Sequence, residues 1–446
     1  MDPHHAREWL DAHVNLETGV GLPADPSPGP SRRATAPTLD RISALVELLG
    51  SPQLSYPVVH VTGTNGKTSV ARMTASLLAA TGLSVGSFTS PHLRRVNERI
   101  SWNGDPILDV QLDALLALIA ELEPTLAERG LDRPSWFEIL TATALTWFAD
   151  IAVDVAVVEV GLGGTWDSTN VVDAAVAVVT NVSIDHVEYL GPTRADIASE
   201  KAGIIGPGST LVLGETDPEL VPIFAARDPE RIVLRDRDFE VVSDRVAHGG
   251  RLVDFRTPDA TYDELLVPLH GAYQAVNAST ALTAAECFIG RALDPDVVEA
   301  ACRSFSSPGR LEVVGHQPLV LLDGAHNVAG AHALVDALAE EFPEAARTLV
   351  VGLLREKDPH EMLEALAATG AAQIVCCRAP SPRALDPGAI AAAAIDLGVD
   401  PQRVHVAELV SEGLARALAL TPPEGEVVVT GSLYVVGAAR SVLVPN

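Results

Sequence analysis

Residues 58–69 read Val-Val-His-Val-Thr-Gly-Thr-Asn-Gly-Lys-Thr-Ser, an apolar strand followed directly by a glycine loop. In such a loop the backbone N–H groups can point at a phosphate, Lys67 supplies positive charge and the Thr68 hydroxyl can bind Mg²⁺. The residues after the loop repeat apolar side chains with the spacing of one helix face: Val70, Met73, Leu77 and Leu78. The stretch therefore predicts a phosphate loop at a helix N-terminus and a nucleoside triphosphate site. The alternative, a chance Gly-Lys-Thr in an ordinary turn, does not explain why strand, loop and helix occur in this order.

Composition narrows the class of protein. The chain has 446 residues, enough for two or three domains, and 47% of them are hydrophobic, which is ample for buried sheets. No apolar run is long enough to cross a bilayer, and Met1–Leu10 lacks the apolar block of a signal peptide, so we expect a cytoplasmic protein with no membrane partner. The formal net charge of −28 argues against nucleic acid as a partner. The four cysteines show no metal-ligand spacing and are expected to be buried thiols.

The order of apolar segments predicts a doubly wound α/β fold. Residues 20–37 are rich in Pro, Gly, Ser and Ala, so residues 1–37 are predicted to be an extended lead-in. Near-continuous apolar runs at Ile151–Val160 and Ala175–Val182 predict parallel strands buried on both faces, with helical stretches between them and the phosphate loop. Residues 38–305 are therefore predicted to form one domain with a mostly parallel sheet, which contains the phosphate loop and which the resemblance described below identifies as ATP-binding.

The pattern changes twice in the second half of the chain. Short β-type segments separated by Gly, Asp and Pro predict a small antiparallel part of the same domain, over Arg231–Leu234, Phe239–Val242 and Arg251–Phe255. A linker is predicted near residues 306–309, where Ser, Pro and Gly cluster. After it strands and helices alternate again, so residues 311–446 are predicted to be a smaller Rossmann-like domain.

Several segments resemble one family. The loop form Thr-Gly-Thr-Asn-Gly-Lys-Thr resembles that of the ATP-dependent amide ligases of the Mur ligase superfamily. Ser90-Pro-His-Leu and Asn97-Glu-Arg-Ile are similar to the S-P-H-L…N-E-R-I motif of folylpolyglutamate synthases and dihydrofolate synthases, and Glu159–Asn170 to their E-V-G-L-G-G-x-x-D-x-T-N. Further segments that resemble motifs of this family are Ser183–His186, Glu200–Gly203, Pro308–Arg310, Asp323–Asn327 and Thr430–Tyr434. Together the matches extend from about residue 39 to 440 and follow the order of the motifs in the family.

The residues alone already indicate a metal site beside the loop. Glu159 ends a buried apolar strand, where open α/β folds place their ligands, and an unpaired carboxylate there would be costly. Mg²⁺ held between the triphosphate and this carboxylate would satisfy it, whereas a surface glutamate is the alternative. The resemblance implies two Mg²⁺ ions, with Thr68 as an additional ligand and a monovalent cation as a further cofactor. The implied metal ligands are Ser90, Glu159, His186 and Lys201 as its carbamate.

For His186 and Lys201 the residues leave other roles open. A histidine is an unusual ligand for Mg²⁺ and is more often hydrogen-bonded in a core. A lysine must be neutral to add carbon dioxide, and burial lowers a lysine pKa, but a salt bridge with Glu200 is the alternative. The resemblance nevertheless implies that the catalytic residues are Lys67, His186 and Lys201. The implied ATP-contacting residues are Gly63, Thr64, Asn65, Gly66, Lys67, Thr68, Ser69, Asn277, Arg310, Asp323 and His326.

The acid substrate is predicted to lie against an aromatic segment and a basic one. An aromatic ring can stack on a pterin, although Phe137 also starts an amphipathic helix and could be core. Four basic residues lie within eight positions: His92, Arg94, Arg95 and Arg99. They could attract the carboxylates of the substrate, or they could be solvated side chains on a loop. The resemblance and these arguments give the predicted substrate contacts Phe137, Glu138, Trp166, Asp167, Ser168 and Arg94.

The chain departs from the family pattern at four places. It has Gly-Lys-Thr where Gly-Lys-Gly is usual, Thr165-Trp166 where Arg-Leu is usual, Tyr273 in place of histidine and Gly206 in place of a common lysine. None of these changes removes a predicted metal or phosphate ligand. They leave the pterin preference and the length of the glutamate tail open.

The predicted function is an ATP-dependent carbon–nitrogen ligase (EC 6.3.2 type). The resemblance implies that it adds L-glutamate to dihydropteroate, to folates or to both, through an acyl phosphate, and that it is a monomer acting on small molecules. The alternative is a Mur-type ligase acting on a nucleotide-linked muropeptide, but those carry a further N-terminal domain for which this chain leaves little room. A nucleotide-gated binding protein is a third reading, against which the intact Glu159, His186 and Lys201 set argues.

Overall fold

The structure, a computed structural model, describes residues 5–15, 38–343 and 346–444. Its strands are β1 (Val58–Thr62), β2 (Val85–Phe88), β3 (Ile100–Trp102), β4 (Asp105–Pro106), β5 (Val155–Glu159), β6 (Ala174–Val179), β7 (Thr210–Leu213), β8 (Arg231–Leu234), β9 (Glu240–Ala247), β10 (Gly250–Arg256), β11 (Thr261–Val267), β12 (Glu312–His316), β13 (Leu319–Leu322), β14 (Arg347–Val351), β15 (Gln373–Cys377), β16 (Val404–Ala407) and β17 (Glu426–Thr430).

The helices lie between and outside these strands. They are α1 (Ala6–Asp11), α2 (Asp40–Leu48), α3 (Lys67–Ala80), α4 (Asp109–Glu128), α5 (Trp136–Asp150), α6 (Val187–Leu190), α7 (Arg194–Lys201), α8 (Val221–Ala225), α9 (Ala272–Ile289), α10 (Pro295–Arg303), α11 (Val328–Glu341), α12 (Pro359–Ala365), α13 (Pro387–Asp396), α14 (Val410–Leu420) and α15 (Leu433–Leu443). In the described ranges, each helix is too short or too polar to span a bilayer.

The N-terminal lobe, which contains β1–β11 and α1–α10, is built on an eight-stranded sheet in the order β4-β3-β2-β5-β1-β6-β7-β8. Strands β2, β5, β1, β6, β7 and β8 are parallel, while β3 and β4 are antiparallel additions at one edge. β1 is central and every one of its residues is buried, because helices cover both faces of a parallel sheet. The carboxyl ends of β1, β2, β5 and β6 therefore meet at one edge of the sheet, where open α/β folds bind ligands.

A second, antiparallel sheet in the order β11-β10-β9 completes the N-terminal lobe. Its apolar side shares a core with α3, α9 and α10, in which Phe239, Phe255 and Leu282 are buried. The C-terminal lobe, β12–β17 with α11–α15, has a six-stranded sheet in the order β12-β13-β17-β14-β15-β16, parallel except for the edge strand β12. The predicted α/β architecture is thus confirmed, with a mostly parallel sheet, a small antiparallel part and a Rossmann-like C-terminal sheet.

Two predictions about local structure differ from the result. Residues 6–11 of the predicted extended lead-in form α1, because Ala6 and Leu10 lie on one helix face and are buried while Arg7 pairs with Asp113 of α4 at 2.6 Å. Residues 1–4 and 16–37 of that lead-in lie outside the described residues. The segment Arg231–Leu234 is not part of a hairpin, since it extends the parallel sheet beside β7 as β8. The antiparallel part instead includes β11, which is not among the predicted segments.

Candidate active site

A cavity of about 890 Å³ opens between the two lobes at the carboxyl ends of the parallel strands. The N-terminal lobe lines it with the phosphate loop, with Ser90 after β2, with Glu159 at the end of β5 and with His186 beyond β6. The C-terminal lobe contributes Arg310 and the segment after β13. Among the predicted ATP-contacting residues all but Gly63 line this cavity. The structure therefore brings together residues that lie as far apart in sequence as Thr64 and His326.

The phosphate loop has the backbone geometry of an anion cradle. Gly66, at φ +82°, caps α3, and a Cβ added to it would come within 2.5 Å of Asn277 Oδ1. Only glycine suits this position, since it combines a left-handed conformation with close approach of α9. Lys67 folds back so that its Nζ donates to the carbonyl oxygens of Gly63 at 3.0 Å and Thr64 at 3.2 Å. Burial lowers the pKa of Lys67, against the opposing effect of Glu159 and Asp185.

Glu159 is held where β5 meets the loop. Its Oε1 accepts from the Thr68 hydroxyl at 2.8 Å and its Oε2 from the Ser90 backbone N–H at 2.9 Å. Burial raises the pKa of this carboxyl group, while the Lys67 ammonium acts to lower it. A buried carboxylate bonded to the Thr68 hydroxyl and to the backbone of Ser90 offers oxygen donors of the kind that Mg²⁺ prefers. Thr68, Ser90 and Glu159 therefore fit the predicted metal.

Lys201 approaches the underside of the loop rather than the cavity. Its side chain is 3% exposed, and its Nζ donates to the carbonyl oxygen of Gly63 at 2.7 Å, the same atom that Lys67 contacts. Burial lowers the pKa of Lys201 well below its ordinary value, and the nearby Lys67 ammonium lowers it further. As an amine this side chain is a hydrogen-bond donor. It can be a metal ligand only after modification.

His186 lines the cavity as predicted, beside Asp185. Burial lowers the pKa of His186 to about 4, although the Asp185 carboxylate opposes this shift. Its Nε2 is 3.9 Å from Asp185 Oδ2. Within the described ranges, His, Cys, Asp and Glu side chains do not form a group of three that could hold a metal ion. Magnesium at this site would therefore depend on hydroxyl groups and on the nucleotide itself, as the donors around Glu159 indicate.

On the C-terminal lobe, Asp323 is fixed at the end of β13. Its carboxylate accepts from the backbone N–H groups of Leu311 and Ala325, both at 2.8 Å, and burial raises its pKa. The Tyr273 hydroxyl lies 3.5 Å from Asp323 Oδ2. Asp323 and Arg310, which are predicted to contact the nucleotide, thus both line the cavity.

Sequence reasoning missed the polar contact that joins the lobes at the cavity. Asn327 caps α11 with its Oδ1, while its Nδ2 donates to Asp185 Oδ2 at 2.8 Å and to Asn65 Oδ1 at 3.1 Å. Lys357 donates to Asp185 Oδ1 at 2.6 Å. Burial acts to raise the pKa of Asp185, but His186, His326 and Lys357 hold it below its ordinary value. Asp185 and Asn327 belong to the motifs Ser183–His186 and Asp323–Asn327, whereas Lys357 belongs to no motif that the sequence shows.

The predicted substrate residues fall into two groups. One group, Phe137, Trp166, Asp167 and Ser168, lines the cavity. Beside it, Gly161 has no room for a Cβ because Phe137 packs at 2.6 Å from that position. Glu138 also lines the cavity, but its carboxylate is used by its own helix. It accepts from the Ser135 N–H at 2.6 Å as a capping box and pairs with Arg41 at 3.2 Å.

Arg94 is not in the cavity, which differs from the prediction. Its guanidinium donates to the backbone carbonyl oxygens of Arg440 and Val444, where the exposed carbonyls at the end of α15 attract a cation. Arg95 pairs with Asp109 at 2.6 Å, and Arg99 is buried with its guanidinium 4.7 Å from the ring centre of Trp136. The cations that do line the cavity are Lys67, Arg310, Arg355, Lys357 and Arg383.

The chain is similar in sequence and in structure to several known proteins. Residues 137–285 match the Mur ligase middle domain, and residues 309–433 match the Mur ligase, glutamate ligase domain. The chain is 42% identical over 438 residues to a dihydrofolate synthase/folylpolyglutamate synthase of Mycobacterium tuberculosis, covering 91% of this chain and 90% of that protein. It is 35% identical to a folylpolyglutamate synthase of Lacticaseibacillus casei, covering 90% and 94%. A crystal structure of M. tuberculosis folylpolyglutamate synthase complexed with ADP and AMPPCP is similar with a TM-score of 0.88 at 42% identity, covering 93% and 97%.

Proposed function

Because the chain belongs to the folylpolyglutamate synthase and dihydrofolate synthase family of the Mur ligase superfamily, we propose that it uses ATP to join L-glutamate to a pteroate or folate. It is an ATP-dependent carbon–nitrogen ligase. A ligase acting on a muropeptide is less well supported, since the relatives described above are folate enzymes. The observation that carries the proposal is the cavity between the lobes, which is lined together by phosphate-loop residues, Glu159, aromatic side chains and cations of the other lobe.

The reaction that fits this cavity has two steps. The γ-phosphoryl group of ATP is transferred to an oxygen of the substrate carboxylate, which gives an acyl phosphate and releases ADP. The amine of glutamate then attacks the acyl carbon, the amide bond forms, phosphate leaves and the amine loses a proton. Both steps need the reacting groups to be held close together, which a cleft between two lobes provides. Residues 38–305 and 311–446 would be the two domains that close on the substrates.

The phosphate loop supplies positive charge where negative charge develops. Lys67 Nζ donates to the carbonyl oxygens of Gly63 and Thr64, which keeps its ammonium group at the loop where a phosphate would bind. The N–H groups at the start of α3 and the Arg310 guanidinium from the other lobe add to the same field. Water must be kept out, since an acyl phosphate hydrolyses. The contact of Asn327 with Asp185 and Asn65 holds the lobes together at this point.

The oxygen donors around Glu159 determine where Mg²⁺ would bind. Thr68, Ser90 and Glu159 would hold Mg²⁺ against the nucleotide, and a bound Mg²⁺ neutralises phosphate charge. A second Mg²⁺ held by His186 and Lys201 would require the Lys201 amine, which contacts the Gly63 carbonyl oxygen beneath the loop, to be converted to its carbamate. The burial and lowered pKa of Lys201 support this, because the neutral amine is the form that adds carbon dioxide. The predicted monovalent cation and the monomeric state stay predictions.

For the acid substrate we assign the wall formed by Phe137, Trp166, Asp167 and Ser168 to the pteridine end. The cations on the C-terminal lobe, Arg355, Lys357 and Arg383, lie on the cavity wall where anionic carboxylates of glutamate would be accommodated. This replaces the role that Arg94 was predicted to have.

The test offers purified protein ATP, Mg²⁺ and L-glutamate with 7,8-dihydropteroate or tetrahydrofolate in separate reactions. Expected are ADP release that requires both glutamate and a pteridine, and a pteridine product heavier by one glutamyl residue. The Lys67→Met variant is the matched control and should release no ADP. Glutamate-independent ADP release, or no mass gain with either pteridine, would overturn the proposal.

A further inference from the structure

The strand that leads into the phosphate loop carries two polar side chains on one buried face. In β1 side chains alternate between faces, so Val59 and Val61 join the core under α3, whereas His60 and Thr62 point to the other side. Both polar side chains are completely buried. Each bonds the segment of residues 161–169, which we call the substrate loop. Thr62 Oγ1 donates to the carbonyl oxygen of Gly163 at 2.8 Å, and His60 Nε2 lies 2.9 Å from Thr169 Oγ1.

The tautomer of His60 follows from counting protons. The Thr169 hydroxyl has one proton and lies 2.6 Å from Asp167 Oδ1, and an ionised carboxylate can only accept. The hydroxyl therefore donates to Asp167, and His60 Nε2 must donate to the hydroxyl. His60 Nδ1, which is then the unprotonated ring nitrogen, has no hydrogen-bond partner in the described part of the chain. Burial lowers the pKa of His60 to about 3, so the ring is neutral at physiological pH.

Asp167 is the end of this hydrogen-bond chain and a cavity-lining residue. Its Oδ1 also accepts from the Thr169 N–H at 3.0 Å, and its Oδ2 accepts from the Leu162 N–H at 2.8 Å. The carboxylate thus ties the two ends of the substrate loop to each other. A carboxylate held by donors on both oxygens has one orientation, which is what a binding wall requires. Next to it, Ser168 bonds Thr141 of α5 at 3.1 Å.

We propose that His60 is a positioning residue for the acid substrate, acting as a neutral N–H donor that fixes Thr169 and through it the Asp167 carboxylate. Together with Thr62 it makes β1 the common support of the phosphate loop and the substrate loop. The proposal rests on the proposed function in one respect, that the substrate loop contacts the pteridine. His60 itself touches neither the cavity nor the nucleotide site.

The test compares variants that break the chain at different atoms. Thr169→Val removes the hydroxyl with little change of shape, His60→Phe keeps a ring without a donor, and His60→Gln keeps an N–H near the place of Nε2. Thr283→Val is the matched control, because Thr283 is equally buried and bonds only a backbone carbonyl within α9. The readouts are KM for dihydropteroate and tetrahydrofolate, and calorimetric Kd for dihydropteroate and for the nucleotide analogue AMPPCP.

In Thr169→Val and His60→Phe we expect the pteridine KM and Kd to rise about tenfold, the effect of one hydrogen bond to a charged group, while the AMPPCP Kd changes less than about twofold. The double variant should be no worse than either single one, because both break the same chain. His60→Gln should recover most of the affinity, and Thr283→Val should bind like the wild type. A loss of folding would instead weaken both ligands equally.

Three results would overturn the proposal: an unchanged pteridine Kd in Thr169→Val, equal losses for pteridine and AMPPCP, or additive losses in the double variant. The wild type separates this inference from the proposed function. A wild type that binds dihydropteroate without turnover overturns the ligase function alone, and the Kd comparison still decides about His60. A wild type that binds no pteridine overturns both.

Discussion

Replacing Arg251 should uncouple the two lobes. This β10 side chain is 1% exposed and lies between them, with Nε 2.5 Å from Asp244 of β9. Its Nη1 is 2.6 Å from Glu341 and 3.0 Å from Glu340, at the end of α11. The other end of α11 is the Asn327 cap at the cavity, about 20 Å away by the helix rise. The helix is thus bonded to the N-terminal lobe at both ends.

The loss of stability on replacing Arg251 depends on the hydrogen bonds and hydration that each carboxylate would retain. Removing one partner of a buried ion pair costs about 3–5 kcal/mol, because the other charge stays buried. Glu340 is 46% exposed and can be hydrated, and Glu341, which is 2% exposed, keeps bonds from His270 at 2.6 Å and the Gly271 N–H at 2.7 Å. Arg251→Met should therefore cost about 3 kcal/mol, the lower end of that range. Adding Glu341→Gln should recover about half of it, since the buried charge is then gone.

The assay is urea unfolding followed by two probes. All five tryptophans lie in residues 9–166, so tryptophan fluorescence reports the N-terminal lobe alone, whereas far-ultraviolet circular dichroism reports both lobes. In the wild type the two transitions should coincide. In Arg251→Met they should separate, because the lobes then unfold independently. Coincident transitions with a loss below about 1 kcal/mol, a typical surface value, would refute the coupling role of Arg251.

Three further predictions concern the site and its surroundings. Glu159→Gln should lower ADP release about 10³-fold at saturating Mg²⁺ while the melting temperature changes little, since the amide keeps an acceptor but not the charge; an active variant would remove Glu159 from the metal site. Arg94→Gln should leave the pteridine KM unchanged and cost about 1–2 kcal/mol in urea unfolding, because its partners are backbone carbonyls. Glu341 is buried, which acts to raise its pKa, but His270, Gly271 and Arg251 hold the pKa below its ordinary value. The stability it contributes should therefore be complete above about pH 4.3 and be lost as the pH falls below that, and acid titration of Glu341→Gln should show a weaker dependence.

Local sequence patterns predicted the parts of the site that one segment builds. The phosphate loop and the end of β5 each follow from a short run of residues, because strand, loop and helix signals lie within about fifteen residues of each other. Contacts between lobes could not be predicted in this way. Arg94 donates to backbone carbonyl groups that lie 346 and 350 residues away in sequence. Every residue has a backbone carbonyl group, so the sequence does not indicate which one a distant arginine contacts. Lys357 and Arg251 pair with carboxylates that are distant in sequence, and the presence of a charged residue alone does not indicate which carboxylate it contacts.

The buried strand β1 nevertheless contained a signal of another kind. A strand enclosed by neighbours on both sides has no need of polar side chains, and buried polar groups are costly unless they are hydrogen-bonded. His60 and Thr62, spaced two residues apart among valines, therefore require partners on one and the same face of the sheet. The sequence implies that such partners exist, and the structure identifies them as Thr169 and Gly163 of the substrate loop. Because the same five residues end at the phosphate loop, a shift of β1 would move the nucleotide site and the substrate wall together, which is how a ligase can keep a phosphoryl donor and its acceptor in register.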